Sequence, residues 1–146
     1  KINYRRFRRM SNRLEEVHIK PVYRSYNAGD VIYHAKDISD SVFLVHTGEV
    51  DILSRYDVQL ATLGEGEIFG EIGQILKAPR TVTVVAKTAC VIRVIEDDVL
   101  AQKLKETDAA ILAILRGLAL RLNESNAKIE DIWKELQIYK SLMNDD

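Results

Sequence analysis

The 146-residue sequence has little of several features on which protein function often depends. It contains a single cysteine, Cys90, so an internal disulfide is excluded, as is typical of a chain from the reducing cytoplasm. No apolar run approaches the ~20 residues that a membrane-spanning helix needs. The net charge of −1 gives no global attraction to nucleic acid or to a membrane. These absences predict a cytoplasmic domain without a membrane span and without direct nucleic-acid binding.

Side chains for metal binding and nucleophilic catalysis are also few and scattered. The three histidines and the cysteine lack the spacing of metal ligands. No Cys/His or Ser/His arrangement indicates a catalytic triad. The adjacent acids Asp97 and Asp98 precede an apolar periodic segment, so they fit the N-terminus of a helix. The sequence therefore predicts neither an enzyme nor a metal site nor a resident cofactor.

Residues 1–18 are predicted to form an amphipathic helix. Its apolar residues recur at three- and four-residue steps: Tyr4, Phe7, Met10, Leu14 and Val17. The opposite face carries five arginines, with no acid before Glu15. A basic helix of this kind suits anionic lipid or nucleic acid. A solvated face, or a docking surface for a neighbouring domain, is the favoured interpretation.

Short strands separated by turn residues follow between Val22 and Val94. The runs rich in β-branched residues cover 22–26, 31–35, 42–46, 50–54, 58–63, 81–86 and 90–95. Glycine, aspartate and asparagine interrupt them, as expected for turns. Many short strands at this spacing predict a sandwich or a barrel of the jelly-roll kind, and the pattern alone does not choose between the two.

After a short helix at about 97–105, a single long helix is predicted from Asp108 to about Met143. Its apolar seam alternates steps of four and three, the heptad repeat of a left-handed coiled coil. The seam consists of Ile111, Leu115, Leu118, Leu122, Ser125, Ile129, Ile132, Leu136, Tyr139 and Met143. At ~1.5 Å per residue the helix is about 50 Å long, too long to lie against so small a domain. We expect it to pack on its own domain in the first turns and, beyond Ile129, to form a parallel homodimer through residues 111–143.

The most informative stretch runs from Phe69 to Thr83. A glutamate, Glu71, and an arginine, Arg80, stand nine residues apart, with glycine beside the first and a hydroxyl residue beside the second. Arginine offers phosphate a fixed fork of donors. A helix beginning near Gly70 leaves N–H groups for the same anion, and the carboxylate can accept from a ribose hydroxyl. The alternative is a Gly-rich turn followed by a surface arginine, and an isolated pair of this kind would favour it.

This stretch resembles the phosphate-binding cassette of the cyclic nucleotide-binding domain family, whose pattern is roughly F-G-E-[LI]-[AG]-L-[LI]-x(2,4)-P-R-[ST]-A-[ST]-V. Similarity continues in order through residues 27–32, 42–50 and 63–68, and covers about residues 12 to 125. The resemblance implies a mainly β fold with α-helices: an eight-stranded β jelly roll with the cassette between two late strands. Two positions depart from the pattern. Val82 replaces alanine and adds bulk beside the phosphate, and Gln74 replaces leucine, where it either faces solvent or weakens that turn.

The resemblance also implies the roles of individual residues. Arg80, with the amides near Ile72, holds the phosphate, and Glu71 holds the ribose hydroxyl. On the long helix, the matching positions Ser125 and Asn126 reach the base across the dimer, and Arg121 meets the ribose-phosphate region. The complete candidate site is Ile52, Leu63, Phe69, Gly70, Glu71, Ile72, Arg80, Thr81, Val82, Val84, Arg121, Ser125 and Asn126.

The implied function is a regulatory domain that senses a cyclic nucleotide. Thr81 is the residue type that the family associates with tolerance of guanine, but the polar pair on the helix favours cAMP over cGMP. The predicted division is an N-terminal helix over 1–18, a nucleotide-binding roll over 19–107 and a dimerisation helix over 108–146. No helix-turn-helix follows the long helix, so the output domain is expected outside this chain.

Two other functions compete with this one. A ligand-free dimerisation scaffold would keep the fold without the binding, but unpaired Glu71 and Arg80 would be costly in an empty pocket. A cupin-type metalloenzyme on a similar roll would need clustered histidine and acid ligands on its strands, which the sequence lacks.

Overall fold

The computed structural model describes residues 21–143. The helix predicted over residues 1–18 lies outside them. Eight strands lie in the described part of the chain: β1 (Val22–Tyr26), β2 (Val31–Tyr33), β3 (Ser41–Thr47), β4 (Val50–Leu53), β5 (Gln59–Leu63), β6 (Ile68–Phe69), β7 (Thr83–Ala86) and β8 (Cys90–Glu96). The three helices of that part are α1 (Glu71–Leu76), α2 (Asp97–Lys105) and α3 (Ala109–Met143). The prediction of a mainly β domain with a long C-terminal helix is confirmed.

The strands form two antiparallel four-stranded sheets that face each other. One has the order β1-β8-β3-β6 and the other the order β2-β7-β4-β5. Phe43 pairs with Val94 in the first sheet, and Ile52 pairs with Val84 in the second. Side chains of both sheets form one buried cluster. Alternation along strands such as β7 and β8 sends every second residue into that cluster, as the sequence pattern indicated.

The sequence pattern did not reveal β6. This strand has two residues, paired with Phe43 and Leu44 of β3, so it is too short to show a period. The run predicted over 81–86 begins as a strand only at Thr83. The two residues before it complete the cassette loop that carries Arg80.

The helix α1 begins directly after Gly70, which has the left-handed backbone conformation with φ at 79°. It ends at Lys77, another left-handed residue, whose N–H faces the last carbonyls of the helix. A residue of positive φ therefore lies at each end of this short helix, which has about one and a half turns. This geometry places α1 between β6 and β7, where the cassette was predicted.

The long helix α3 begins after Asp108, whose carboxylate accepts hydrogen bonds from the N–H groups of Ala110 and Ile111. Among the described residues, no helix is long and apolar enough to cross a membrane. The helix packs against α1 and then reaches the turn between β4 and β5. The expectation that packing on the roll stops at Ile129 is wrong, because Glu130 and Trp133 still contact that turn.

Candidate functional site

The loop between β2 and β3 holds the main chain of Arg80 in place. The N–H of Lys36 donates to the carbonyl of Arg80 at 2.8 Å, and the N–H of Arg80 donates to the carbonyl of Asp37 at 2.9 Å. The hydroxyl of Thr83 accepts from the N–H of Ala35 at 3.0 Å. Two segments more than forty residues apart in sequence are thereby joined into one frame.

The guanidinium of Arg80 lies inside this frame, with the residue only 4% exposed. Its Nη1 donates to the carbonyl of Gly70 at 2.8 Å, and its Nη2 donates to the carbonyl of Ser41 at 2.8 Å. The carboxylate of Asp40 lies 3.7 Å from Nη2 and is itself mostly exposed, which makes it a weak partner. Main-chain carbonyls, rather than a carboxylate, are therefore the principal partners of this cation.

Two aromatic rings cover the same guanidinium. Its central carbon lies 4.4 Å from the centroid of the Tyr33 ring and 5.2 Å from that of Phe43. Burial lowers the pKa of Arg80 and raises the pKa of Tyr33. The Nε of Arg80 is buried and has no hydrogen-bond partner among residues 21–143. One donor of the fork is therefore left unsatisfied by the described residues.

Glu71 begins α1 and is half-buried. Burial raises its pKa, while a hydrogen bond from its own N–H and the charge of Arg80 act in the opposite direction. Within the described part of the chain, no ion pair within 4.0 Å joins Glu71 to Arg80. The cassette thus holds an acid and a base that do not neutralise each other directly.

Gly70 provides room for the arginine. A Cβ atom at this position would lie 2.6 Å from Nη1 of Arg80 and 3.2 Å from the ring of Phe43. The positive φ also disfavours any residue with a Cβ. Glycine is required here by conformation and by space.

Gln74 does not face solvent. It is 2% exposed, and its amide Nε2 donates to the carbonyl of Ser39 at 2.6 Å. The neighbouring Gly73 lies close to the same residue, because a Cβ there would be 2.5 Å from the Ser39 hydroxyl. The departure from leucine therefore ties α1 to the β2–β3 loop through a satisfied buried amide.

The apolar candidates divide into two groups. Phe69, Val82 and Val84 belong to the buried core, so the bulk of Val82 is accommodated between the sheets. Ile52 and Leu63 are half-buried and pack against that core from β4 and β5. Ile72 and Thr81 are also half-buried, on either side of the cassette. The half-buried set retains surface that a ligand can reach.

The three candidates on α3 do not share one environment. Arg121 and Ser125 are exposed, whereas Asn126 is half-buried. Asn126 follows the buried Ala119 by seven residues and precedes the buried Glu130 by four. This spacing places Asn126 on the face of α3 that packs on the roll, and Ser125 on the adjacent seam.

Three contributors to the site were not found from the sequence. They are Tyr33, the carbonyl of Ser41 and the β2–β3 loop with its main-chain bonds to Arg80. Every residue has a carbonyl, so sequence carries no signal for the role of Ser41. An aromatic residue in a predicted strand, such as Tyr33, is most often simply core. Within residues 21–143, no group of histidine, cysteine or acidic side chains is arranged to hold a metal ion.

Comparison with protein families places this site in a known context. Residues 23–107 match the model of the cyclic nucleotide-binding domain. The human voltage-gated delayed rectifier potassium channel KCNH1 is 30% identical over 134 residues, which is 88% of this chain and 13% of the channel. The cAMP-dependent protein kinase regulatory subunit of Schizosaccharomyces pombe is 33% identical over 63 residues, 43% of this chain and 15% of that protein. The chain thus spans a small part of the length of these relatives.

Solved structures show the same architecture. The cAMP-bound form of the EAL enzyme Bd1971 superposes with a TM-score of 0.68 at 25% identity, covering 84% of this chain and 34% of that one. The regulatory domain of Toxoplasma gondii PKA, crystallised with cAMP, has a TM-score of 0.57 at 18% identity, covering 69% of this chain and 39% of that one. The second likeness concerns the fold alone.

Proposed function

Because its residues 23–107 match that model, the chain belongs to the cyclic nucleotide-binding domain family, and we propose that it senses cAMP in preference to cGMP. It acts as a cytoplasmic regulatory module rather than as an enzyme. Residues 19–107 are the nucleotide-binding region, and residues 108–146 are the dimerisation region, whose helix covers Ala109–Met143. The helix transmits the signal to an output domain or partner beyond these 146 residues.

The observation that carries this proposal is the incomplete set of partners around Arg80. Its Nε has no acceptor within residues 21–143, although the rest of the guanidinium is held firmly. A phosphate oxygen supplies an acceptor of matching charge. Glu71, nine residues earlier on the same cassette, offers a carboxylate to a ribose hydroxyl. Main-chain N–H groups at the start of α1, near Ile72, lie at the positive end of that turn.

The preference for adenine rests on α3. Asn126 faces the roll and can pair with the polar edge of a base held by the cassette. Ser125 lies on the seam. In a dimer, Ser125 of one copy would face the nucleotide site of the other copy. Thr81 keeps a hydroxyl near the phosphate and supports binding of cGMP as well, which we expect to be weaker than binding of cAMP. Arg121, exposed in one copy, contributes through the dimer.

The exposed seam of α3 supports the homodimer. Apart from the half-buried Leu115, its large apolar residues from Ile111 to Met143 are exposed along the helix, in a row next to the face that packs on the roll. Contiguous apolar surface of this kind marks an interface. A parallel pair places Glu135 opposite Lys140 across the seam. Nucleotide binding then favours the helix arrangement in which Asn126 meets the base.

One observation favours the second candidate, a ligand-free dimerisation scaffold. Arg80 already donates to the carbonyls of Gly70 and Ser41, so an empty pocket does not leave its charge without partners. The expected cost of keeping this arginine in an unused site is therefore smaller than the sequence suggested. The scaffold would dimerise identically and would bind no nucleotide.

Calorimetric titration of the full chain with cAMP and with cGMP tests the proposal. We expect saturable binding of both, with tighter binding of cAMP, and a mass spectrum of small molecules released from the purified protein should contain the preferred nucleotide. Asn126→Ala should reduce the difference between the two nucleotides by roughly 1–3 kcal/mol, because a hydrogen bond to the base is lost. A folded dimer that binds neither nucleotide would establish the scaffold instead.

A further inference from the structure

The turn between β4 and β5 contacts α3 at Glu130. The N–H of Arg55 donates to a carboxylate oxygen of Glu130 at 3.1 Å, and Glu130 is 8% exposed. Ala119 and Glu130 are the two buried residues of α3, which covers Ala109–Met143. Glutamate is rarely buried without a partner. This hydrogen bond therefore fixes the position of α3 relative to the turn.

Aromatic and cationic groups extend the same contact. The rings of Tyr56 and Trp133 stack with centroids 6.3 Å apart and planes inclined by 22°. The Nζ of Lys134 lies 4.5 Å from the centroid of the Tyr56 ring, and 3.5 Å from the carboxylate of Asp131. We refer to the turn Ser54–Asp57 together with Glu130, Trp133 and Lys134 as the clasp.

Hydrogen bonds within the turn fix its own conformation. Ser54 is fully buried, and its hydroxyl accepts from the N–H groups of Tyr56 at 3.1 Å and Val58 at 3.2 Å. The N–H of Ser54 donates to the carbonyl of Val58 at 2.8 Å, and Asp57 takes a left-handed conformation. These local bonds use the turn's own polar groups and leave the N–H of Arg55 directed at Glu130.

The clasp lies one turn beyond Asn126 on the same face of α3. A residue four positions along a helix is the direct neighbour on that face, so fixing Glu130 fixes the height and rotation of Asn126. The helix is thus held by α1 and by the clasp, and Asn126 lies between Ala119 and Glu130, the two buried residues of α3.

We propose that Glu130 and Trp133 are positioning residues, which seat α3 on the roll before the nucleotide arrives and thereby place Asn126 for the base. This inference rests on the proposed function, since it concerns the same site. The free protein then holds its helix in the arrangement that binds, and the ligand gains affinity because less of its binding free energy is needed to close the helix.

The clasp and the dimer seam lie on different faces of the helix. The clasp occupies positions Glu130, Trp133 and Lys134, whereas Ile129, Ile132 and Leu136 continue the exposed seam. A second copy can therefore pair along the seam while each copy keeps its own clasp. A change in the clasp should alter nucleotide binding without altering the oligomeric state.

Trp133 is the single tryptophan of the chain, so its fluorescence reports the clasp directly. In the full chain without nucleotide, Glu130→Ala should shift the emission to the red and speed amide exchange in the peptide that contains Arg55. Glu130→Gln should stay close to the wild type, because its amide oxygen still accepts from that N–H. Glu124→Ala, which changes an exposed glutamate on the outward side of the same helix, serves as the matched control and should change neither signal.

Titration with cAMP then separates positioning from mere packing. Glu130→Ala should weaken cAMP binding by about three- to tenfold, the range expected for one hydrogen bond. The double variant Asn126→Ala/Glu130→Ala should lose less than the product of the single losses, because Glu130 acts through Asn126. Light scattering should report the same oligomer for all variants.

Three results bear against the proposal or its premise. Unchanged fluorescence and exchange in Glu130→Ala would overturn the clasp itself. A released clasp with unchanged cAMP affinity, or fully multiplicative losses in the double variant, would overturn the positioning role. Failure of the wild type to bind either nucleotide would overturn the proposed function, and the fluorescence and exchange arms would still decide whether Glu130 seats the helix.

Discussion

In most domains apolar side chains are buried and polar side chains are exposed. The cassette and the long helix depart from this pattern in opposite ways. The cassette buries polar side chains, with Arg80 at 4% and Gln74 at 2% exposure. The helix exposes large apolar ones, with Ile132 at 65% and Tyr139 at 67%. Buried polar groups and exposed apolar rows are the two informative exceptions in a folded domain. These two exceptions are where the proposed partners are expected to bind: an anion at the cassette and a second helix along α3.

The two regions differ in whether their unusually placed side chains already have partners. The polar groups of the cassette are mostly satisfied by main-chain carbonyls of the same chain, so the region is stable while empty. The apolar seam has no comparable partner in the described part of the chain. Loss of a partner should consequently affect the helix more than the cassette. Substitutions in the two regions test that difference, from the largest expected effect to the smallest.

The largest effect is expected at the seam. Replacing Leu122, Ile129 and Leu136 with lysine places charges against their own copies and should convert a dimer entirely into a monomer. Light scattering measures the outcome. A triple-lysine control at the exposed outward positions Glu124, Ala127 and Gln137 should remain dimeric. A dimer that survives the seam substitutions would show that the interface lies elsewhere, on the roll or in the basic N-terminal segment.

Arg80 should have the next largest effect. Arg80→Leu removes a charge-assisted contact to phosphate and should lower nucleotide affinity by ~2–4 kcal/mol. Arg80→Lys should also weaken binding, since an ammonium cannot copy the planar fork. Calorimetry provides the measurement, and Arg24→Leu on the exposed strand β1 is the control.

Arg80→Leu also leaves the carbonyls of Gly70 and Ser41 without donors, so denaturant unfolding should accompany the titration. Unchanged affinity in a folded variant would contradict the assignment of the cassette. A loss of stability without a loss of affinity would give Arg80 a purely structural role.

Gly70→Ala tests the space inside the cassette. Gly29 has a similar φ of 90°, but a Cβ added there would meet no atom within 4 Å, so Gly29→Ala introduces the backbone strain alone. We expect that control to lose ~1–2 kcal/mol of the free energy of unfolding. Gly70→Ala should lose ~1–3 kcal/mol more, because its Cβ meets Arg80 and must displace the guanidinium. If denaturant melts show the same loss of unfolding free energy for both variants, the Arg80 side chain moves aside without a cost in stability.

The smallest effect concerns protons at Glu71. Burial raises the pKa of its carboxyl in the free domain, and a ribose hydroxyl that donates to the carboxylate should lower this pKa in the complex. Between the two pKa values binding therefore releases less than one proton, and affinity falls as the pH drops through that window. For folding alone, the contribution of Glu71 to stability declines as the pH rises from its ordinary pKa through the raised one, because the folded state holds the proton longer.

Calorimetry in two buffers of different ionisation enthalpy measures this release at mildly acidic pH. Glu71→Gln, which cannot ionise, should abolish it. Proton uptake in the wild type would reverse the proposed role of the carboxylate.

Local rules were enough to predict much of the molecule from its sequence. Alternation and turn residues marked most strands, the heptad steps marked α3, and the resemblance of residues 69–83 to a family pattern predicted the cassette. Each of these signals is carried by residues close together in the chain, where backbone period and glycine conformation leave a readable pattern. The pairing of the seam stays a prediction of the same kind.

Tertiary structure alone decided which partners the key groups have. Arg80 bonds to Ser41, 39 residues away, and Glu130 bonds to Arg55, 75 residues away. Both contacts use main-chain groups, which are alike in every residue and so leave no trace in the sequence. The burial of Gln74 and the separation of Ser125 from Asn126 likewise depend on how α1 and α3 lie on the roll. Sequence determined which residues could take part, and the packing of distant segments determined which of them meet.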